Sequence, residues 1–187
     1  YFDMVKRFGD VPWYSEVISD KDWDKLQAPR TPRTVVLDSV MADINYAIDH
    51  LPEVKTVNEI SRWTALALKS RICLFEGTFR KYHTEFKLPE YEAFLDNAIA
   101  ASKELIERSG YKLYNTGHPE SDYLNLFASL NANEDEIILA RAFSDELQVY
   151  HNLNYYTMTA SYGRPGLEKR LVNSYLMRDG SRFTDIA

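Results

Sequence analysis

Residues 61–81 read SRWTALALKSRICLFEGTFRK, and this stretch decides the fold. Ala65, Leu68, Ile72, Phe75 and Phe79 recur at three- and four-residue steps, which sets them along one side of an α-helix. Trp63, Ala67 and Leu74 form a second apolar strip on a different side. A helix greasy on two sides needs neighbours on two sides, so other helices must flank it. Ser61 suits the N-cap, because its hydroxyl oxygen can accept one of the unpaired N–H groups of the first turn.

Candidates for both neighbours lie on either side in the chain. From Thr34 to Leu51, the residues Leu37, Val40, Met41, Ile44, Ile48 and Leu51 share one face, while Asp38, Asp43, Asn45 and Asp49 lie elsewhere around the axis. Pro52 ends that helix. From about Glu90 to Ser109, Tyr91, Leu95, Ala98 and Leu105, with Phe94 nearby, mark another helix, and Gly110 is placed as its C′ residue. Long helices with short connections predict antiparallel hairpins resembling helical-repeat units, although no repeat period of about 34 residues is present. The ends are less regular. Residues 1–33, broken by Gly9, Pro12, Pro29 and Pro32, read as an extended arm; 34–109 form the helical core; 110–187 are loop-rich. Within the last region, Tyr123–Phe127 suits a short helix, 136–143 a short strand, and about Leu167 to Leu176 a final helix. Between Ser144 and Pro165 lies an aromatic loop with Tyr150, His151, Tyr155, Tyr156 and Tyr162.

The 187 residues suffice for one domain that buries roughly 70% of its extended surface. Twenty-eight acids against 22 bases give a net charge of −6, and no basic block tracks a phosphate backbone, so nucleic acid is not an expected partner. Cys73, the only cysteine, sits among Ile72, Leu74 and Phe75 and reads as a buried thiol. No apolar run approaches the roughly 18 residues needed to span a bilayer. The chain starts at Tyr1 inside an aromatic stretch, without an initiator Met or signal sequence, which points to a segment of a longer protein.

Catalytic patterns are not found. His50, His83, His118 and His151 are far apart along the chain, and no element carries two metal ligands at the spacing a metal requires. The nucleophile elbow, the phosphate loop and the dinucleotide turn are missing, so no catalytic residue, metal or cofactor is expected. A pair of carboxylates for glycoside cleavage is always possible with this many acids, but Asp38, Asp43 and Asp49 fall on faces that solvate a helix. The positive signal is aromatic: 13 Tyr, 9 Phe and 3 Trp. A tyrosine or tryptophan offers a flat apolar face and a polar tip, which suits stacking on a sugar ring while bonding its hydroxyls.

Arg7 to Pro12 read R-F-G-D-V-P; Asp43 to Ala47 give D-x-x-x-A; Leu51-Pro52 follow, then A-L-A-L-K-S-R from Ala65 to Arg71. Leu126-Phe127, Glu136-Ile137-Ile138, Tyr175 and Asp179-Gly180 come later in the same order. Together these resemble the SusD/RagB family of outer-membrane lipoproteins. The resemblance implies a mainly α fold, a superhelix of tetratricopeptide-like helical hairpins carrying long aromatic loops with at most short strands. It also implies a non-catalytic, cell-surface protein that binds an oligosaccharide or other nutrient and delivers it to a SusC-like TonB-dependent transporter. Localisation would be the extracellular face of the outer membrane, with the lipid anchor in an N-terminal part of the parent. Family members are typically longer, and their shared motifs are scaffold positions that do not carry ligand residues across. The expected ligand-binding residues therefore come from the aromatic segments: Tyr155, Tyr156 and Tyr162 for stacking, His151, Asn154 and Arg164 for hydroxyls, and Trp13 and Trp23 in the arm. Two other readings stand beside this one: a helical protein–protein docking module without direct glycan binding, and an α-helical carbohydrate-active enzyme.

Overall fold

The computed structural model describes residues 1–162 and 166–183. In chain order its helices are α1 (Phe2–Phe8), α2 (Trp23–Leu26), α3 (Arg33–His50), α4 (Arg62–Tyr82), α5 (Tyr91–Arg108), α6 (Pro119–Ala128), α7 (Leu153–Met158) and α8 (Lys169–Val172), with a 3-10 turn at Thr84–Phe86. The fold is mainly α and built on helical hairpins. Among the described residues there is no sheet, and the extended pairings are isolated antiparallel bridges, Val11 with Thr31, Ser144 with Val149 and Leu176 with Arg182. Two compact units divide the chain, Tyr1–Arg141 and Ala142–Ala187.

In the first unit α4 is central, with α5 packed along it on one side and α3 on another. Ser61 caps it in a reciprocal box, its hydroxyl taking an N–H of the first turn while Thr64 Oγ1 accepts from the Ser61 amide at 3.3 Å. Ile44, Ile48, Trp63, Ala65, Leu66 and Ala101 form one buried cluster across α3, α4 and α5, with Met41, Leu51, Leu105 and Tyr111 against it. Each fully buried Leu, Ile or Val contributes about 1.5–3 kcal/mol, which is why these helices stay together. Leu68 and Leu74, on the apolar strips of the α4 sequence, nevertheless remain exposed. Cys73 is buried beside Met41, and burial pushes its thiol up to about 11, as suits a packing residue.

Charge completes the core. Glu76 is fully buried in α4, accepting from Arg33 Nη2 at 2.5 Å and Arg80 Nε at 2.8 Å. The Arg33 guanidinium lies 4.0 Å from the Phe79 ring centroid, and that of Arg80 lies 4.4 Å from Phe94. Arg80 also donates to the Pro89 carbonyl at 2.7 Å and so fixes the turn into α5. At the other end of the hairpin, Arg62 joins Glu104 at 2.6 Å and the Ile48 carbonyl at 2.8 Å; its hydrogen bond holds the Glu104 carboxyl below the usual carboxylate range.

The arm departs from its expected extended form. Phe2–Phe8 is a helix because Val5 is buried with Val11, Val36 and Leu37, so an apolar face outweighs the turn formers that follow. The R-F-G-D-V-P stretch, which begins on the last turn of that helix, is a docking element. Asp10 Oδ1 accepts the Arg33 amide at 2.8 Å, capping α3 from a distance; Arg30 Nη1 donates to the Phe8 and Asp10 carbonyls; Val11 bridges Thr31.

Residues 110–141, grouped by composition with the loop-rich end, belong to the helical unit. Gly110, at φ +74°, follows α5 as expected. Lys55 Nζ then reaches Asp135 at 3.2 Å, and the Ala140 amide donates to the Val57 carbonyl at 2.7 Å. The strand expected over 136–143 is not formed: Ile137 N–H turns back to the Asn133 carbonyl at 2.9 Å, and no described strand lies alongside to accept a ladder. The short helix near Tyr123 extends back to Pro119, with Pro at its first turn. In the second unit, the helix expected over 167–176 is confined to Lys169–Val172 and followed by turns.

Gly77 of α4 packs tightly against α5: an added Cβ would lie 2.7 Å from Leu95 Cδ2 and 3.2 Å from the Leu95 amide nitrogen. Gly77→Val should therefore destabilise the chain by about 1–3 kcal/mol, read as a lower urea midpoint at an unchanged slope. An unshifted midpoint would show that the helices have room to part.

Candidate functional site

The aromatic loop folds more than its sequence predicts. Ser144 and Val149 exchange both backbone hydrogen bonds, at 3.1 and 3.0 Å, and close a tight turn. Asn152 then leads into α7, where the Leu153 amide donates to His151 Nδ1 at 3.3 Å. Asn152 accepts at its carbonyl from the Tyr156 amide, Tyr155 from that of Thr159, and Thr159 from that of Tyr162. These successive turns bring Tyr162 back over the helix.

The result is a cluster of the three expected tyrosines. Ring centroids of Tyr155 and Tyr162 are 4.9 Å apart, those of Tyr156 and Tyr162 are 5.4 Å apart, and those of Tyr155 and Tyr156 are 5.8 Å apart. The interplanar angles of 52°, 87° and 72° are tilted or edge-on, so the rings prop one another and none is fully covered. Fractional exposures of 54%, 49% and 41% for Tyr155, Tyr156 and Tyr162 agree with that. Tyr155 Oη donates to Tyr162 Oη at 3.2 Å, leaving the Tyr162 proton for an outside acceptor. The same bond pushes the Tyr155 phenol above its ordinary value.

His151 stands edge-on to Phe143, centroids 5.0 Å apart. Because its Nδ1 accepts from Leu153, a neutral ring carries its proton on Nε2 and can donate outward. Asn154 is exposed on the first turn of α7. Arg164 lies outside the described residues.

Trp13 and Trp23 belong to the first unit. Trp13 packs against the Val5–Val11–Val36–Leu37 cluster and meets the Tyr1 ring edge-on at 4.7 Å, so much of its surface serves the core. Trp23 is 68% exposed on α2, whose end is held by Tyr14 Oη donating to the Lys25 carbonyl at 2.6 Å.

Two features have weaker signals in the sequence. A hollow of about 560 Å³ lies beside the C-terminal end of α6, lined by Tyr114, Leu126, Ser129, Asn131, Asn133 and Glu134 among others. Its trace is the polar run Ser129–Asn131–Asn133–Glu134, which reads as an ordinary loop. An apolar groove of about 570 Å³ runs between α4 and α5, with exposed Leu74, Ile99 and Ile106 over Leu95 and Ala98. Among the described residues no group of three or more His, Cys, Asp or Glu side chains is placed to hold a metal ion.

Replacing Tyr162 by Phe removes the acceptor of the Tyr155 proton. The Tyr155 phenol should then titrate at lower pH than in the parent chain, followed by ring-carbon NMR. An unchanged titration would mean that the two hydroxyls are not joined in solution.

The chain is 31% identical over 83 residues to SusD-like protein P2 of Formosa agariphila, a match covering 43% of this chain and 16% of that protein. No family model matches the sequence, and no solved structure matches it. No described helix is long and apolar enough to cross a membrane. The likeness to a SusD-like protein thus extends over less than half of the chain, which spans about a sixth of that relative's length.

Proposed function

We propose that this chain is the non-catalytic binding part of a SusD-like surface protein, taking up an oligosaccharide and handing it to a SusC-like TonB-dependent transporter. The observation that carries the reading is the cluster of Tyr155, Tyr156 and Tyr162, three half-exposed rings propped against one another. The 31% identity to SusD-like protein P2 supports the class. A pyranose would lay its C–H face on an accessible ring, where dispersion and C–H polarity favour the contact, while the Tyr162 hydroxyl, His151 Nε2–H and the Asn154 amide meet its hydroxyls. Arg164, a few residues on, is proposed as a further donor. Trp23 offers a separate platform; Trp13 is tied to the core and contributes support. Because no bond need be broken, the site requires only matched donors and acceptors and release to the channel. On this reading the parent sits on the outer face of the outer membrane, held there by lipid.

The second reading, a docking module that binds no glycan itself, is favoured by the apolar groove between α4 and α5. The two part experimentally. Calorimetric titration of the full chain with a glycan panel should give a ligand whose affinity falls at least about tenfold, equivalent to about 1.4 kcal/mol, in Tyr155→Ala and Tyr156→Ala. Circular dichroism should be unchanged. Equal affinity in both variants, or no ligand in the panel, would contradict the glycan reading; weakened association with the transporter alone would favour docking.

A further inference from the structure

We propose that the hollow beside the C-terminal end of α6 is a second saccharide subsite, selective for neutral sugars. It borrows only the ligand class from the proposed function, not the site, which lies in the first unit among residues that nothing above assigns to binding. At about 560 Å³ it falls within the range of small-molecule pockets.

Two of its lining residues, Asn133 and Tyr114, are tied to the loop beside them. Asn133 Oδ1 accepts from the Asp135 and Glu136 amides at 2.9 and 3.3 Å, which commits the oxygen inward and leaves the two Nδ2 hydrogens as donors. Tyr114 is pinned by its amide, which donates to a Glu136 carboxylate oxygen at 2.6 Å. From behind, Lys55 and Lys112 hold Asp135 at 3.2 and 3.4 Å, and the Lys112 amide donates to the Asp135 carbonyl at 2.9 Å. Hydrogen bonding to Lys55 lowers the Asp135 carboxyl, so the loop keeps these ties through the neutral range. The groups facing the hollow are of three kinds. Among the residues that line it, Asn133 can donate through Nδ2, the Asn131 side chain can donate and accept, Glu134 brings an accepting carboxylate, and Leu126 and the Tyr114 ring are apolar. Leu130, fully exposed, adds a further apolar surface at the rim.

That mixture matches a polyol with a C–H face. None of the described residues that line the hollow is a cation, and Glu134 among them is an anion, so phosphate, sulfate and uronate groups meet repulsion from it. The lining thus separates neutral sugars from acidic ones.

The test is an amide-resolved NMR titration of the full chain with cello-, malto-, manno- and laminari-hexaose and with an oligogalacturonate. At least one neutral hexaose should shift the backbone amides of residues 129–134. Its affinity there should fall at least about fivefold, the worth of about one hydrogen bond, in the double variant Asn131→Ala/Glu134→Ala. Both side chains are on a surface loop, and Tyr114→Phe, which deletes only a hydroxyl, gives a milder second variant. Shifts at 129–134 that persist at equal affinity in both variants would overturn the proposal, as would tighter binding of the oligogalacturonate there. Shifts confined to Tyr155, Tyr156 and Tyr162 would overturn this subsite and leave the proposed function standing; shifts nowhere would overturn both.

Discussion

A single carboxylate, Glu76, holds the helical unit in register. It sits without solvent contact in the middle of α4, and its two oxygens are divided between Arg33 at the start of α3 and Arg80 one turn further along α4. Each guanidinium is backed by an aromatic ring, Phe79 for Arg33 and Phe94 for Arg80, which replaces part of the lost hydration. Arg80 extends the network to the Pro89 carbonyl at the entrance to α5. Arg33 extends it the other way, because its own amide is capped by Asp10 of the arm. Three helices and the arm thus meet at one charge. A buried ion cluster gains little over an apolar core of the same volume, but removing one partner leaves an uncompensated charge. Its contribution is to admit one alignment of the helices and penalise others.

The apolar half of this arrangement was legible from spacing alone. Period and caps located α3, α4 and α5 to within a residue or so, and Gly110 and Cys73 took the environments their neighbours implied. The charged half was not legible. Glu76 and Arg80 stand four residues apart, which on any sequence reads as a solvated surface pair, and Arg33 is distant in the chain. Nothing local distinguishes a buried pair from an exposed one. For the same reason α1 was hidden: its seven residues carry too little period to be read, and it forms because Val5 has α3 to bury against. The apolar run after Glu136 erred in the other direction, since a strand needs a partner edge and the neighbours here are helices and loops.

The candidate binding surface divides the same way. The tyrosine cluster could be anticipated because its members lie within eight residues, and one turn of helix with two tight turns suffices to unite them. The hollow at α6 could not, because its walls come from two loops joined by the Tyr114–Glu136 hydrogen bond, and each loop alone is unremarked polar sequence. Trp13 and Trp23 differ for a related reason: residues alike in composition are separated by whether a buried cluster lies within reach of the ring.

The most direct test of this account is the stability of Glu76→Gln, measured on the full chain by urea unfolding followed in the far ultraviolet. Two arginines left facing a neutral amide should cost about 3–5 kcal/mol. A change within about 0.5 kcal/mol, the ordinary effect of a surface substitution, would contradict the claim that this carboxylate holds the helices in place.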